Sequence, residues 1–304
     1  GQRAVKKSIG HVRPRDQVMR ELMNASGNKA GMTQLSRTFG VSRSGLYEAR
    51  QRQAQPVGID TAAVQLQAAF MASGGSYGSR RLSAQLKRQG LPVGRHRART
   101  LMRMHGLRAR WRRKWVHTTD SRHSLPVAGN VLDRQFKPAA TNRAWAGDIT
   151  YIRTASGWVY LAVVIELYSR KVIGWAMAGH MQASLVCDAL RMALSSRQPL
   201  PGVLMHTDRG SQYASQDHRE LLQAHALVQS MSRKGNCWDN AVTERFFLNL
   251  KMERVWQQQY ANLVEAQQDV TDYIVNFYNA QRLHSALGYR TPNEFEAMAS
   301  DNTL

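Results

Sequence analysis

Residues 158–167, WVYLAVVIEL, are almost unbroken apolar text. The run is far too short to cross a membrane, which takes about 20 residues. A strand of this composition offers no face to water, so it reads as the centre of a sheet covered on both sides. Its surroundings supply the rest of the sheet. WAGDITYI precedes it, and KVIGWAMA follows after a tight turn at Ser169–Arg170. VLMHTD and VQSMS come later, separated by helical text. ASLVCDALRMALSSR, ended by Pro199, DHRELLQAHAL and AVTERFFLNLKMERVW all read as helices. Three hairpin-linked strands followed by helix–strand–helix–strand–helix predict an α/β unit: a mixed five-stranded sheet with helices on its faces.

Three acids occupy telling places in this plan. Asp148 lies near the middle of WAGDITYI, Asp208 ends VLMHTD just before the breaker Gly210, and Glu244 opens the late helix. A chain with 21 acids offers many triplets, so the element that carries each acid matters more than the spacing. Two neighbouring strands and a late helix can bring all three to one edge of the sheet, the arrangement of the RNase H-like fold. Converging carboxylates raise one another's pKa values, and divalent cations remove that penalty. Mg²⁺ takes hard oxygen ligands, and two such ions clamp the attacking and leaving oxygens of a phosphodiester. Lys251, seven residues after Glu244, returns to nearly the same helix face and is placed to hold a phosphate. The segment QSMSRKGNCWDN is expected to bring Ser232, Lys234, Asn236 and Asn240 to the site, with Asp239 capping the Glu244 helix. His206 and Tyr213 flank Asp208. Glu166, Asp188 and Asp217 are set aside, Glu166 as a strand end facing solvent or a supporting partner.

Charge divides the chain. Residues 1–138 carry 27 Lys/Arg against 6 Asp/Glu, whereas residues 139–304 balance at 15 of each. All of the net +21 therefore lies in the first part, the footprint of a polyanionic partner. That part is also patterned. Leu35, Phe39, Val41 and Leu46 have the spacing of two short helices about a turn at Gly40, with Ser42 as a cap. In such a helix-turn-helix, Arg43, Ser44 and Tyr47 would face a major groove. A second basic unit runs through YGSRRLSAQLKRQGLPVGRHRARTLMRMHGL. There Ala98, Leu101 and Met102 point inward, while Arg80, Arg81, Arg95, Arg97 and Arg99 are candidates for DNA. RARWRRKW adds Arg110, Arg112, Arg113 and Lys114, interleaved with Trp111 and Trp115, for phosphate or minor-groove contact. The expected organisation is a basic helix-turn-helix over 1–54, a second over 60–115, a linker over 116–138, the catalytic core over 139–260 and a helical extension over 261–304. In that extension Tyr273, Ile274, Phe277 and Tyr278 form an apolar face, and Thr291–Pro292 opens a last helix. Two cysteines without a CxxC pair speak against a zinc site or disulfide framework. No apolar signal core opens the chain.

WAGDITYIRT, GWVYLAVVIELYSRKVIGW, HTDRGSQYAS, RKGNCWDNAVTERFFLNLK and YNAQRLHSALGYRTPNEF together resemble the DDE transposases of bacterial insertion sequences. More narrowly, they resemble the downstream reading-frame product of the IS-three family, relatives of retroviral integrases. YGSRRLSAQL and the helix-turn-helix around Gly40 resemble that family's N-terminal half. The resemblance implies that Asp148, Asp208 and Glu244 are catalytic metal ligands and Lys251 the basic residue beyond them. It further implies two Mg²⁺ ions, replaceable by Mn²⁺, with cleavage at element ends and 3′-hydroxyl strand transfer. The implied partners are double-stranded DNA (terminal inverted repeats and target), further copies of the chain on DNA, and the upstream reading-frame product; the implied setting is the bacterial cytoplasm, with no membrane. Two departures stand out. Glu166 replaces the family's usual aspartate, and no sustained heptads mark a leucine zipper, so the chain reads as the downstream product alone or a trimmed form. A nuclease of the same fold and a non-catalytic DNA-binding regulator are the competing readings.

Overall fold

The computed structural model describes Ser44 and residues 60–110, 125–234 and 237–301. The chain divides after Asp60, and every element named here belongs to the second unit. Arg43, Tyr47, Arg112, Arg113, Lys114 and Asn236, with Trp111 and Trp115, lie outside the described residues; Ser44 is helical and exposed.

Three short helices come first: α1 (Thr61–Ala72), α2 (Ser79–Arg88) and α3 (Arg95–Met104). Leu66, Leu82, Leu86 and Ala98 are wholly buried between them, each leucine contributing roughly 1.5–3 kcal/mol. The α2–α3 turn contains Gly90 and the Pro92–Gly94 stretch, as the breaker residues predict. This small core closes on the far end of the chain, because Leu283 is part of it and Tyr289 packs against it.

The sheet follows: β1 (Ala144–Thr154), β2 (Gly157–Glu166), β3 (Val172–Ala178), β4 (Leu204–Thr207) and β5 (Val228–Met231). Its order is β3-β2-β1-β4-β5. The first three strands form an antiparallel meander, and β4 and β5 add in parallel. The run that opened the sequence is β2, buried from Leu161 to Glu166. One face of the sheet is covered by α4 (Ala183–Arg197) and α5 (Gln216–Ala224). Gly174 permits the close approach of α4, since a Cβ there would sit 2.2 Å from the Ala189 carbonyl oxygen. The other face is covered by α6 (Ala241–Glu253) and α7 (Leu263–Asp272), the latter continuing as a π-helix over Tyr273–Asn279. Tyr273, Ile274 and Tyr278 are buried there, the apolar face expected of the extension. α8 (Pro292–Asp301) begins with Pro at its first position. Thr291 Oγ1 accepts from Glu294 N (3.2 Å) and Glu294 Oε2 from Thr291 N (2.9 Å), a reciprocal capping box.

The stretch expected to be a linker is packed where it is described. Leu132 is buried with Ala144, Ala146 and Leu167. Ser230 Oγ accepts from the backbone N–H groups of Val131 and Leu132 at 2.9 and 3.1 Å. Met231 N also donates to the Gly129 carbonyl at 3.2 Å, so residues 129–132 lie beside β5 and occupy one backbone donor of that edge strand.

Candidate active site

β1 carries Asp148 into a crowded position. A Cβ on the preceding Gly147 would lie 2.6 Å from Met205 Cε and 3.5 Å from the Tyr213 hydroxyl, so glycine lets β1 and β4 come together. On β1, the pairing with β4 covers only Ala144–Ala146; beyond that, β1 runs on without it. Asp208 follows Thr207 at the open end of β4, and its Oδ1 accepts from Gly210 N at 2.9 Å, an Asx turn. Both carboxylates line one cleft of about 500 Å³, together with Ile149–Tyr151, Trp158, Tyr160, Met181 and Gly210–Gln212.

Asp148 Oδ1 accepts from Ile149 N at 2.8 Å and Oδ2 from Thr243 Oγ1 at 3.4 Å. Thr243 adjoins Glu244 in the first turn of α6, so that helix end abuts the Asp148 carboxylate. Burial raises the Asp148 pKa well above the usual carboxylate range, and the charges of Asp208 and Glu244 push it the same way. The three acids therefore share one electrostatic neighbourhood. Among the described residues, however, no group of three His, Cys, Asp or Glu side chains is closed tightly enough to hold a metal ion. Hard carboxylate oxygens gathered at one place fit a divalent cation; Asp148 and Asp208 are the pair that faces the cleft.

Lys251 is half-buried on α6 with Nζ 4.6 Å from the centre of the Tyr151 ring. Burial lowers its pKa while Asp148 opposes the shift. The two-turn spacing predicts this return toward the acids; the aromatic seat was not legible from it. His206 is buried, with Nδ1 2.9 Å from Ser230 Oγ and Nε2 3.3 Å from Ser232 Oγ. Burial pulls its pKa down to about 4, so at neutral pH it is an uncharged tie between β4 and β5. Tyr213 stays a neutral phenol, pushed well up by burial and by Asp148 and Asp208.

Several expectations are corrected. Asp239 does not cap α6; Asn240 holds that position, with no side-chain cap bond. Asp239 is instead a buried hub. It accepts from Arg233 N, Nε and Nη2 (3.0, 2.9 and 2.9 Å), Arg134 Nε (2.8 Å) and Asn130 Nδ2 (2.9 Å). The arginines arrive from loops on either side, a convergence that helix-capping rules do not foresee. Of the two places expected for Glu166, solvent is excluded and a supporting partner holds. Glu166 is fully buried and accepts from Ser169 N and Oγ (2.7 and 2.6 Å), closing the β2–β3 turn. Ser232 and Asn240 are buried rather than presented to a substrate. Arg81 is turned inward: its Nε donates to the Leu283 carbonyl at 3.0 Å, and its guanidinium lies 5.6 Å from the Tyr77 ring centre. The C-terminal segment offers Arg81 a carbonyl and an aromatic face, which outweighs exposure. Arg80, Arg95, Arg97, Arg99, Arg110 and Lys234 are exposed.

Comparisons with known proteins agree with this architecture. Residues 138–237 match the family described as integrase core domain, residues 225–292 match a second family so described, and residues 60–115 match the HTH-like domain. The chain is 40% identical over 263 residues to the insertion element IS600 uncharacterized 31 kDa protein of Shigella sonnei, covering 86% of this chain and 97% of that one. It is 45% identical over 229 residues to transposase InsF for insertion sequence IS3A of Escherichia coli (strain K12), covering 75% of this chain and 80% of the relative. Among solved structures, the catalytic core domain of BIV integrase aligns with TM-score 0.41 and 18% identity, over 53% of this chain and 98% of that one.

Fold and matches define an integrase core joined to a helix-turn-helix-like unit. The chain belongs to the IS3 family of insertion-sequence transposases. It is a DNA transposase, an enzyme of polynucleotide transfer that binds DNA.

Proposed function

We propose that Asp148, Asp208 and Glu244 are the catalytic carboxylates and that they bind two Mg²⁺ ions, or Mn²⁺ in their place, for cleavage at element ends and 3′-hydroxyl strand transfer. The observation that carries the reading is geometric: Asp148 and Asp208 line one open cleft, and Thr243, the neighbour of Glu244 in the first turn of α6, donates to Asp148 Oδ2 at 3.4 Å. Bound divalent cations would activate the attacking water or 3′-hydroxyl and offset charge on the departing oxygen. Around them, the chain's own groups have separate tasks. Thr243 orients the Asp148 carboxylate, and Gly210 N holds that of Asp208. Lys251 steadies a phosphate beside Asp148. Glu244, next to Thr243 in the first turn of α6, would supply the third carboxylate.

In this reading the exposed arginines of α2 and α3, with Arg110, neutralise DNA phosphates, and the units 1–54 and 60–115 grip the element end. Arg43, Ser44, Tyr47, Arg112, Arg113, Lys114, Lys234 and Asn236 belong to the same DNA-facing set. The core over 139–260 is steadied by the extension over 261–304. The working form is an oligomer on DNA in the bacterial cytoplasm, joined by the upstream reading-frame product.

The test is cleavage and joining of a labelled element end with Mg²⁺, with EDTA, and with Glu244→Gln. Joined products that need the metal and vanish in the variant support the proposal. Joined products that persist in EDTA or in Glu244→Gln overturn it.

A further inference from the structure

The edge of β1 that runs on past β4 carries an alternation of cations and aromatic rings. Lys251 Nζ lies 4.6 Å from the Tyr151 ring centre. Tyr151 meets Trp158 edge-to-face, with centroids 5.0 Å apart at 83°. The Arg153 guanidinium lies 5.4 Å from the Trp158 ring. Register explains the assembly: Arg153 stands directly opposite Trp158, and Tyr151 opposite Tyr160, across the β1–β2 hairpin. Trp158 is 47% exposed, and it lines the same cleft as Asp148 and Asp208. Neither Lys251 nor Arg153 is held in an ion pair among the described residues. A packed core has no use for a half-exposed tryptophan flanked by two cations, whereas a nucleic-acid strand supplies both flat bases and phosphates.

We propose that Trp158 is a stacking platform for an unpaired base of the DNA next to the bond being cut, with Tyr151 bracing the indole edge and Arg153 and Lys251 taking the adjoining phosphates. The proposal rests on the Asp148–Asp208 cleft being the reaction centre. It deepens that reading by making the substrate a locally opened duplex end. A half-exposed ring can receive a base without rearrangement of the fold, and opening the terminal pairs is repaid in part by stacking.

The experiment is a chemical double cycle. Element ends carrying a single abasic site, moved position by position across the terminus, are bound in EDTA and cleaved in Mg²⁺ by the parent, Trp158→Ala and Trp158→Phe. Stacking predicts roughly a 5- to 150-fold loss for Trp158→Ala on the intact end. It also predicts no further loss at the one position where the base is already absent, and substantial rescue by Trp158→Phe. Equal Trp158→Ala effects at every position, or none at all, would overturn the platform. Unfolding midpoints exclude a general loss of structure. The EDTA binding arm separates the two ideas: position-specific coupling there, with joining untouched by Glu244→Gln, would retain the platform and sink the metal-site reading. Loss of joining in Glu244→Gln with no coupling would do the reverse.

Discussion

Arg233 reaches Asp239 three times, through its backbone N–H and through two guanidinium nitrogens, all within 3.0 Å. That carboxylate is buried five residues before Glu244, where loop gives way to α6. Arg134 and Asn130 bind the same carboxylate from the strap along β5. Asp239 thus ties the approach to Glu244 to a fixed edge of the sheet.

Asp239→Asn should therefore destabilise the fold by about 2 kcal/mol, since an amide cannot satisfy two guanidinium groups. Strand cleavage should fall as the start of α6 loosens. Asp188→Asn is the control: its pair with Arg191 is exposed on both sides, so its cost should stay below about 0.5 kcal/mol. Hydrogen bonds from Arg233, first among several causes, hold the Asp239 pKa far below the carboxylate range. Its stabilising effect is thus fully present above its unfolded pKa near ~4 and fades only as pH drops below that. Urea unfolding at pH 7 and pH 4.5 should show the same Asp239→Asn deficit.

The pair Glu253–Arg282 is buried on both sides, with bonds of 2.8 and 2.7 Å, and Tyr273 also donates to Glu253. Arg282→Ala should cost roughly 3–5 kcal/mol by stranding Glu253. The double change Arg282→Met with Glu253→Gln should recover part of that. Chemical unfolding of the three proteins checks it; a double variant as poor as the single would refute it.

His206 and His218 are held to about 4, and His284 to about 2, chiefly by burial. Their folded pKa values lie below the unfolded ~6.5. The unfolded chain then binds more protons, so stability is full above pH ~6.5 and drains as pH falls toward 4. Together the three histidines should contribute up to about three protons to the slope of unfolding free energy against pH in that window, with Asp148 opposing them by about one. His218→Gln should remove about one of the three.

Asp148 departs the other way: its folded pKa lies above the unfolded one. In metal-free protein this costs stability progressively as pH rises above ~4 and leaves the full cost above the folded value. Asp148→Asn should raise the metal-free melting temperature at pH 8 by about 2–4 °C, with the gain vanishing toward pH 4. Added Mg²⁺ should stabilise the parent and leave the variant unmoved. Thermal scans at both pH values, with and without the ion, decide it.

The succession of strands and helices along the chain and the element that carries each acid were legible in the linear text, because β2 is apolar at every turn of the pleat and each acid sits at an element boundary or centre; the order of the strands in the sheet was not. The buried face of α3 and the Thr291–Pro292 helix start were legible for the same reason: helix periodicity and capping depend on residues three or four apart. Asp239, Glu166, Arg81 and the Tyr151–Trp158 array were not. Asp239 draws partners from residues 130, 134 and 233, Arg81 finds its carbonyl 202 residues away, and Lys251 meets Tyr151 only because a helix and a strand edge pack together. Local chemistry sets what an element is and which face it buries. Which charged groups become buried anchors, and which stay exposed, depends on packing between distant segments, where desolvation and partner geometry decide the outcome.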